Sequence, residues 1–257
     1  MKTLLLSIFL LLCSIHIPKM TTVLPAISKL TTRVIRVLGS NPGPMTLQGT
    51  NSYIVGTGDR RILIDTSEPQ IPEYSDTLKG VLTNEKVQLE HIILTHWHHD
   101  HVGAVPEVLA KINPECKVWK FPRSDTEEKV DFRPLENGQV FRVEGATLSV
   151  IHTPGHTSDH VVLALKEENA VFSGDCILGE GTTVFEDLYE YMKSLQTIRS
   201  LQPSFIYPGH GPLVEEYPEK LQKPALYAVR KHFEKLKKDG KVIEHNNGWS
   251  LKEKSKV

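Results

Sequence analysis

The densest chemistry in the chain is Thr95-His96-Trp97-His98-His99-Asp100-His101, which directly follows the apolar run Ile92–Leu94. A core cannot absorb the spacing His-x-His-x-Asp-His, because His96, His98, Asp100 and His101 would be four buried polar groups in need of four partners. A strand that ends in a turn lets such side chains converge on one point instead. Neutral imidazole and carboxylate are the ligands that Zn²⁺, Fe²⁺ and Mn²⁺ share. Three later segments repeat one design, an apolar strand closed by a small residue or turn and then a ligand-type side chain. They are Thr153-Pro154-Gly155-His156-Thr157, Ser173-Gly174-Asp175 and Tyr207-Pro208-Gly209-His210-Gly211. Alone, each reads as an ordinary turn; together, downstream of the histidine cluster, they point to one centre. Seven ligands exceed what one tetrahedral ion takes and suit two. The natural division gives His96, His98 and His156 to one ion and Asp100, His101 and His210 to the other, with Asp175 between them. Each ion keeps room for a shared water, so the site reads as catalytic, with Asp100 and Asp175 the carboxylates expected to take part. The expected cofactor is two Zn²⁺ per chain, with iron or manganese as alternatives.

The elements that must position these residues are short. Val34–Leu38, Ser52–Val55 and Arg61–Asp65 read as consecutive strands, parted by Asn41-Pro42-Gly43-Pro44 and by Gly56-Thr57-Gly58-Asp59. The pair Gly56 and Gly58 lacks the third glycine and the following helix of a dinucleotide loop, which excludes that reading. Residues 71–89 have partly helical spacing, and Val102–Ile112 and Leu188–Leu201 have clear helical periodicity. Further strands are expected at Lys117–Lys120, Thr147–His152, His160–Leu165, Ala170–Ser173 and Ser204–Tyr207. Strands interspersed with helices without strict alternation indicate a layered α/β sandwich.

Composition bounds the remainder. At 257 residues, 39% hydrophobic and 24% charged, the chain fits a globular protein and excludes disordered or collagen-like classes. The net charge of −1 hides an asymmetry: Lys220 to Val257 holds eleven Lys/Arg against four Asp/Glu, a balance of +7, leaving −8 on the part before it. A basic tail on an acidic body suggests a polyanionic partner, or else a solvated lysine-rich helix. Cys13, Cys116 and Cys176 form no CxxC pair, which argues against a disulfide framework or a cysteine zinc site. The apolar run Leu4–Ile15 looks like the start of a secretory signal, yet it is shorter than the ~20 apolar residues of a membrane span, so no stable membrane insertion is expected. Met20 offers a second start, after which residues 21–36 carry Lys29, Arg33 and Arg36 and no acid, as a mitochondrial presequence would. Residues 1–20 are therefore expected to be a leader or non-native segment, 21–218 a catalytic domain and 219–257 a basic module. A monomer and a homodimer are both open.

The ligand pattern resembles the metallo-β-lactamase superfamily and, within it, the hydroxyacylglutathione hydrolase (glyoxalase II) group. The likeness runs over roughly residues 33–212. It includes Asn41-Pro42-Gly43-Pro44-Met45-Thr46-Leu47-Gln48-Gly49-Thr50-Asn51 and the segment from Ser173-Gly174-Asp175-Cys176 to Glu186-Asp187-Leu188-Tyr189. Those two stretches are similar to animal members of the group that cleave single-stranded RNA in mitochondria. The resemblance implies an αββα sandwich with two zinc ions at one edge, the seven ligands assigned above, single-stranded RNA as substrate and a mitochondrial matrix location, with the secretory pathway as the alternative if Leu4–Ile15 is a signal. Ser67 stands where the family usually has glycine after Asp65-Thr66, and His99 where close relatives tend to have arginine. The group's C-terminal winged-helix module is shortened and incomplete: Leu226–Lys238 reads as a helix and Gly240–Leu251 as a two-stranded wing, without the two helices expected between Gln222 and Leu226.

Two cations about 3.5–4 Å apart lower the pKa of a water shared between them from near 16 towards ~7, giving an in-line nucleophile for a phosphodiester. Asp65 is expected either to support a ligand histidine or to form a local turn with Thr66. Thr95 is expected to be a packing residue, His99 to face solvent, and His16, His91, His152, His160, His232 and His245 to be structural or exposed. A thioesterase or lactonase using the same metals is the alternative enzyme. A nucleic-acid-binding protein with a purely structural metal is disfavoured, because a structural zinc closes on four ligands.

Overall fold

The computed structural model describes residues 23–123, 132–215, 237, 242–245 and 248–251. The first sheet has seven strands in chain order: β1 (Ile27–Lys29), β2 (Val34–Leu38), β3 (Asn51–Val55), β4 (Arg60–Ile64), β5 (Gln88–Leu94), β6 (Lys117–Lys120) and β7 (Arg133–Pro134). The second has five, β8 (Val140–Val143), β9 (Ala146–His152), β10 (Val161–Leu165), β11 (Ala170–Gly174) and β12 (Phe205–Pro208), also side by side in chain order. Helices α1 (Pro72–Glu85), α2 (His99–Val102), α3 (Val105–Lys111) and α4 (Leu188–Ser200) complete these layers. A separate hairpin joins β13 (Val242–His245) to β14 (Gly248–Leu251), the wing expected from the sequence.

Period-two alternation explains why the strands read as unbroken apolar runs. Val34, Tyr53, Val55, Ile62, Ile64 and Ile93 face Leu148, Val150, Val161, Leu163 and Phe172 of the other sheet. Their sequence neighbours Ile35, Val37, Ile54, Leu63, Ile92 and Leu94 face away, onto Leu78, Val81 and Leu82 of α1 and Val105 and Val108 of α3. Val162, Val171 and Ile206 likewise turn out of the second sheet towards Tyr191 and Ile198 of α4. Both sheets are thus buried on both faces, and the layers run helix, sheet, sheet, helix, as the sandwich reading requires.

The differences from expectation are local. β1, β7 and β8 carry too little apolar signal to stand out, since β1 and β7 are mostly exposed and β8 alternates. The single helix expected over Val102–Ile112 is two pieces, α2 and α3. At the break, a Cβ on Gly103 would lie 2.4 Å from Pro69, and Pro106 sits in the first turn of the new helix, where its missing N–H costs nothing. β10 starts at Val161, one residue after the expected His160. The leader over 1–20 and the helix expected over Leu226–Lys238, except at Lys237, lie outside the described residues. Among the described residues no helix is long and apolar enough to cross a membrane.

One buried ion pair ties the first sheet to the loop between β9 and β10. Lys120 Nζ, at the end of β6, lies 2.7 Å from Asp159 Oδ2, and the Thr157 hydroxyl donates to Asp159 Oδ1 at 2.7 Å. Both charges are fully enclosed. Lys120→Met would leave the Asp159 charge buried beside a more distant Arg123. Urea unfolding is expected to show a loss of about 3–5 kcal/mol; a loss within ±0.5 kcal/mol, as at an ordinary surface site, would mean the pair holds nothing.

Candidate metal centre

Strand direction delivers the ligands to one edge. β4 and β5 run parallel, as do β11 and β12, so all four end on the same side of the sandwich. Asp65 follows β4, Thr95 and His96 follow β5, Asp175 follows β11 and Gly209-His210 follow β12. His156 comes from the turn between β9 and β10, and His98 to His101 from the entry into α2.

The structure brings all seven expected residues together in two groups, His96, His98, His156 and Asp175, and Asp100, His101 and His210, with ligand atoms in each within 4.8 Å of one another. In the first group His98 Nδ1 lies 2.9 Å from His96 Nε2 and 3.2 Å from His156 Nε2. In the second, His101 Nε2 and His210 Nε2 are 3.3 Å apart, each 3.2 Å from Asp100 Oδ2. Asp175 reaches both: Oδ1 is 3.3 Å from His101 Nε2, while Oδ2 is 3.3 Å from His210 Nε2 and 3.8 Å from His156 Nε2. Close approach is possible because Gly209 lacks a side chain; a Cβ there would sit 2.2 Å from Asp175 Oδ1.

Whether these groups fit a cation is decided on the far side of each ring. His101 Nδ1 donates to Asp65 Oδ2 at 2.8 Å, and His156 Nδ1 to the Val184 carbonyl at 2.6 Å. His210 Nδ1 faces the Gly49 carbonyl at 3.4 Å. The Thr95 hydroxyl donates to Asp65 Oδ2 at 2.8 Å and so accepts from His96 Nδ1 at 2.9 Å. With each Nδ1 proton held outward, the four Nε2 atoms point inward and present lone pairs once their rings are neutral. Neutral imidazole nitrogens turned lone pair to lone pair repel, and Asp175 Oδ1 is buried with no hydrogen-bond donor. A divalent cation answers both problems, and an N–H anchored on carboxylate or carbonyl is how metal-binding histidines are oriented.

Several supports were not singled out in the sequence. Thr95, expected to be a packing residue, joins Asp65 to His96 through its hydroxyl; Asp65, by contrast, is expected as a possible support of a ligand histidine and does support His101. Thr50 Oγ1 donates to Asp100 Oδ2 at 3.1 Å and accepts from Asn41 Nδ2 at 3.1 Å, so the Asn41–Asn51 loop orients a ligand carboxylate. Asn51 Nδ2 donates to the carbonyls of Pro208 and Gly211 and clamps the turn that carries His210. Ser67 is accommodated because its hydroxyl donates to the Gly39 carbonyl at 2.7 Å, where a Cβ on Gly39 would crowd it. His99 is exposed as expected. Of the other histidines, His91 packs against Trp119 and Phe141, His152 stacks on Phe121, and His160 is buried against the centre.

A model of the metallo-beta-lactamase superfamily matches residues 45–210, the stretch holding all seven residues. The chain belongs to this superfamily. A beta-lactamase associated winged helix domain matches residues 215–249. Among relatives, the beta-lactamase-like protein 2 homolog of Drosophila melanogaster is 52% identical over 202 residues, 75% of this chain and 69% of that protein. Atrochrysone carboxyl ACP thioesterase AgnL7 of Paecilomyces divaricatus is 42% identical over 208 residues, 81% of this chain and 65% of that protein. A structure solved in a di-iron-bound form, of TTHA1623, is 30% identical, with a TM-score of 0.54 over 70% of this chain and 94% of that one. This metallo-β-lactamase fold sets its candidate centre where both sheets end.

Charge at the centre is uneven. Burial pushes His98 down to about 4 and His96 well below its usual range. At His101 and His210 burial also opposes charge, but the carboxylates outweigh it; Asp100, Asp175 and Asp65 hold His101 well above normal, and Asp175 and Asp100 raise His210 to about 9. A cation entering between Asp100, His101 and His210 must therefore displace protons. Metal affinity in chelator competition is expected to rise with pH from 6 through about 9, where His210 gives up its proton. An affinity flat between pH 6 and 9 would contradict this coupling.

Proposed function

We propose that this metallo-β-lactamase superfamily hydrolase holds two zinc ions and cleaves phosphodiester bonds of single-stranded RNA. The observation that carries hydrolysis is the pair of ligand groups sharing Asp175, with inward lone pairs and one orphaned carboxylate oxygen. The substrate reading rests on the basic stretch from Lys220 to Val257, which overlaps the winged-helix match over residues 215–249. Lysine and arginine on such a module suit a polyanion, whose grip weakens steeply with salt.

Two divalent cations held there would supply Lewis-acid stabilisation of phosphoryl oxygens and a nucleophilic water at neutral pH. The chain's own residues do the rest. Asp175 sets the spacing between the two groups through its two oxygens. Asp100 is half-buried and oriented by Thr50, so its carboxylate can accept a hydrogen bond from the attacking water while facing His101 and His210. Asp65 holds His101 in one tautomer through Nδ1. Among the described residues Trp97 and His98 are partly exposed and His99 is exposed.

A thioester reading has one specific support, the 42% identity to a protein named as an acyl-carrier-protein thioesterase. The two readings separate in one experiment. The zinc-loaded protein is expected to cut a single-stranded RNA oligonucleotide at low salt, lose that activity in EDTA and leave acyl thioesters intact. Thioester hydrolysis without RNA cleavage would reverse the assignment. Asp175→Ala and His96→Ala are each expected to abolish turnover and lower bound metal; full turnover in either variant would refute the shared-ligand centre.

A further inference from the structure

The loop that presents His156 ends in a second histidine that binds no candidate ion. His160 is fully buried, and both ring nitrogens are engaged. Its Nε2 accepts from the main-chain N–H of Asp175 at 3.2 Å, so its single proton is on Nδ1 and donates to Thr153 Oγ1 at 3.0 Å. Thr153 N–H in turn donates to the His160 carbonyl at 2.9 Å, closing the base of the loop with His156 at its tip. The next residue, Val161, donates its N–H to the Thr95 carbonyl at 2.8 Å, just before His96. The ring packs 5.3 Å from that of His96 and 5.8 Å from that of His156. Space for it is provided by Gly174, where φ is +46° and a Cβ would stand 2.7 Å from His160 Nε2.

A buried histidine with satisfied nitrogens is often only a piece of core. Here, however, its acceptor nitrogen is spent on the backbone of the residue that spans both ligand groups, and its donor nitrogen on the loop of another ligand. We propose that His160 is a positioning residue of the metal centre: by joining the Asp175 main chain to the base of the His156 loop, it fixes the reach of the Asp175 carboxylate and so the retention of the second cation. The inference rests on the dinuclear reading above but on no particular substrate.

Two substitutions of similar polarity test it. Glutamine places an amide oxygen near the position of Nε2, whereas asparagine reaches only as far as Nδ1. In the full chain, His160→Gln is expected to keep two cobalt or zinc ions per chain and the visible absorption of the cobalt form. His160→Asn is expected to bind the second ion about 10–100-fold more weakly, as loss of a supporting hydrogen bond does, with an altered cobalt spectrum. On a cleavable substrate, His160→Asn should lower kcat with KM little changed. Equal metal retention and equal spectra in the two variants would overturn the proposal, as would equal losses, which mark packing alone. Should the unsubstituted chain bind two ions yet cut no RNA, the substrate reading fails and this inference stands.

Discussion

A neutral imidazole carries one proton for two nitrogens, and at this centre the position of that proton is decided away from the ligand face. Asp65 accepts a hydrogen bond from it at His101, the Val184 carbonyl at His156 and the Thr95 hydroxyl at His96. Only rings so anchored can turn their remaining lone pairs towards a shared point without adding protons there. The arrangement is unfavourable on its own, because lone pairs and carboxylates crowd each other in a dry environment. The stiffness of the surrounding sandwich is what keeps them in place.

That stiffness comes from the way the two sheets are covered. Parallel pairing of β4 with β5 and of β11 with β12 aligns four strand ends at one edge, and the cores on both sides of each sheet fix their register. A register slip of one residue in β5 would turn Ile93 out of the inter-sheet core and carry His96 away from the centre. Packing and chemistry are therefore locked to the same alternation.

Much of this was legible in the residues. The cluster after Ile92–Leu94 announced a metal site because four polar ligands at that spacing have no other use, and the apolar runs marked the principal strands because each is buried on both faces. Thr50, Thr95 and His160 were not legible as supports. A threonine or a lone histidine carries no local signal, and their partners lie far along the chain, as Thr50 and Asp100 do. The close approach of Gly103 to Pro69 joins residues equally remote in sequence. The edge strands β1, β7 and β8 escaped notice because edges bury too little to impose a pattern.

The last ligand stands only a few residues before Glu215, the end of the described stretch 132–215. Between them, Val214 and Ile206 exchange both main-chain hydrogen bonds, at 2.9 and 3.0 Å, and Asn51 grips the carbonyls on either side of His210. These bonds act as a cable clamp. They tie the segment that carries His210 to the sheet edge from both sides.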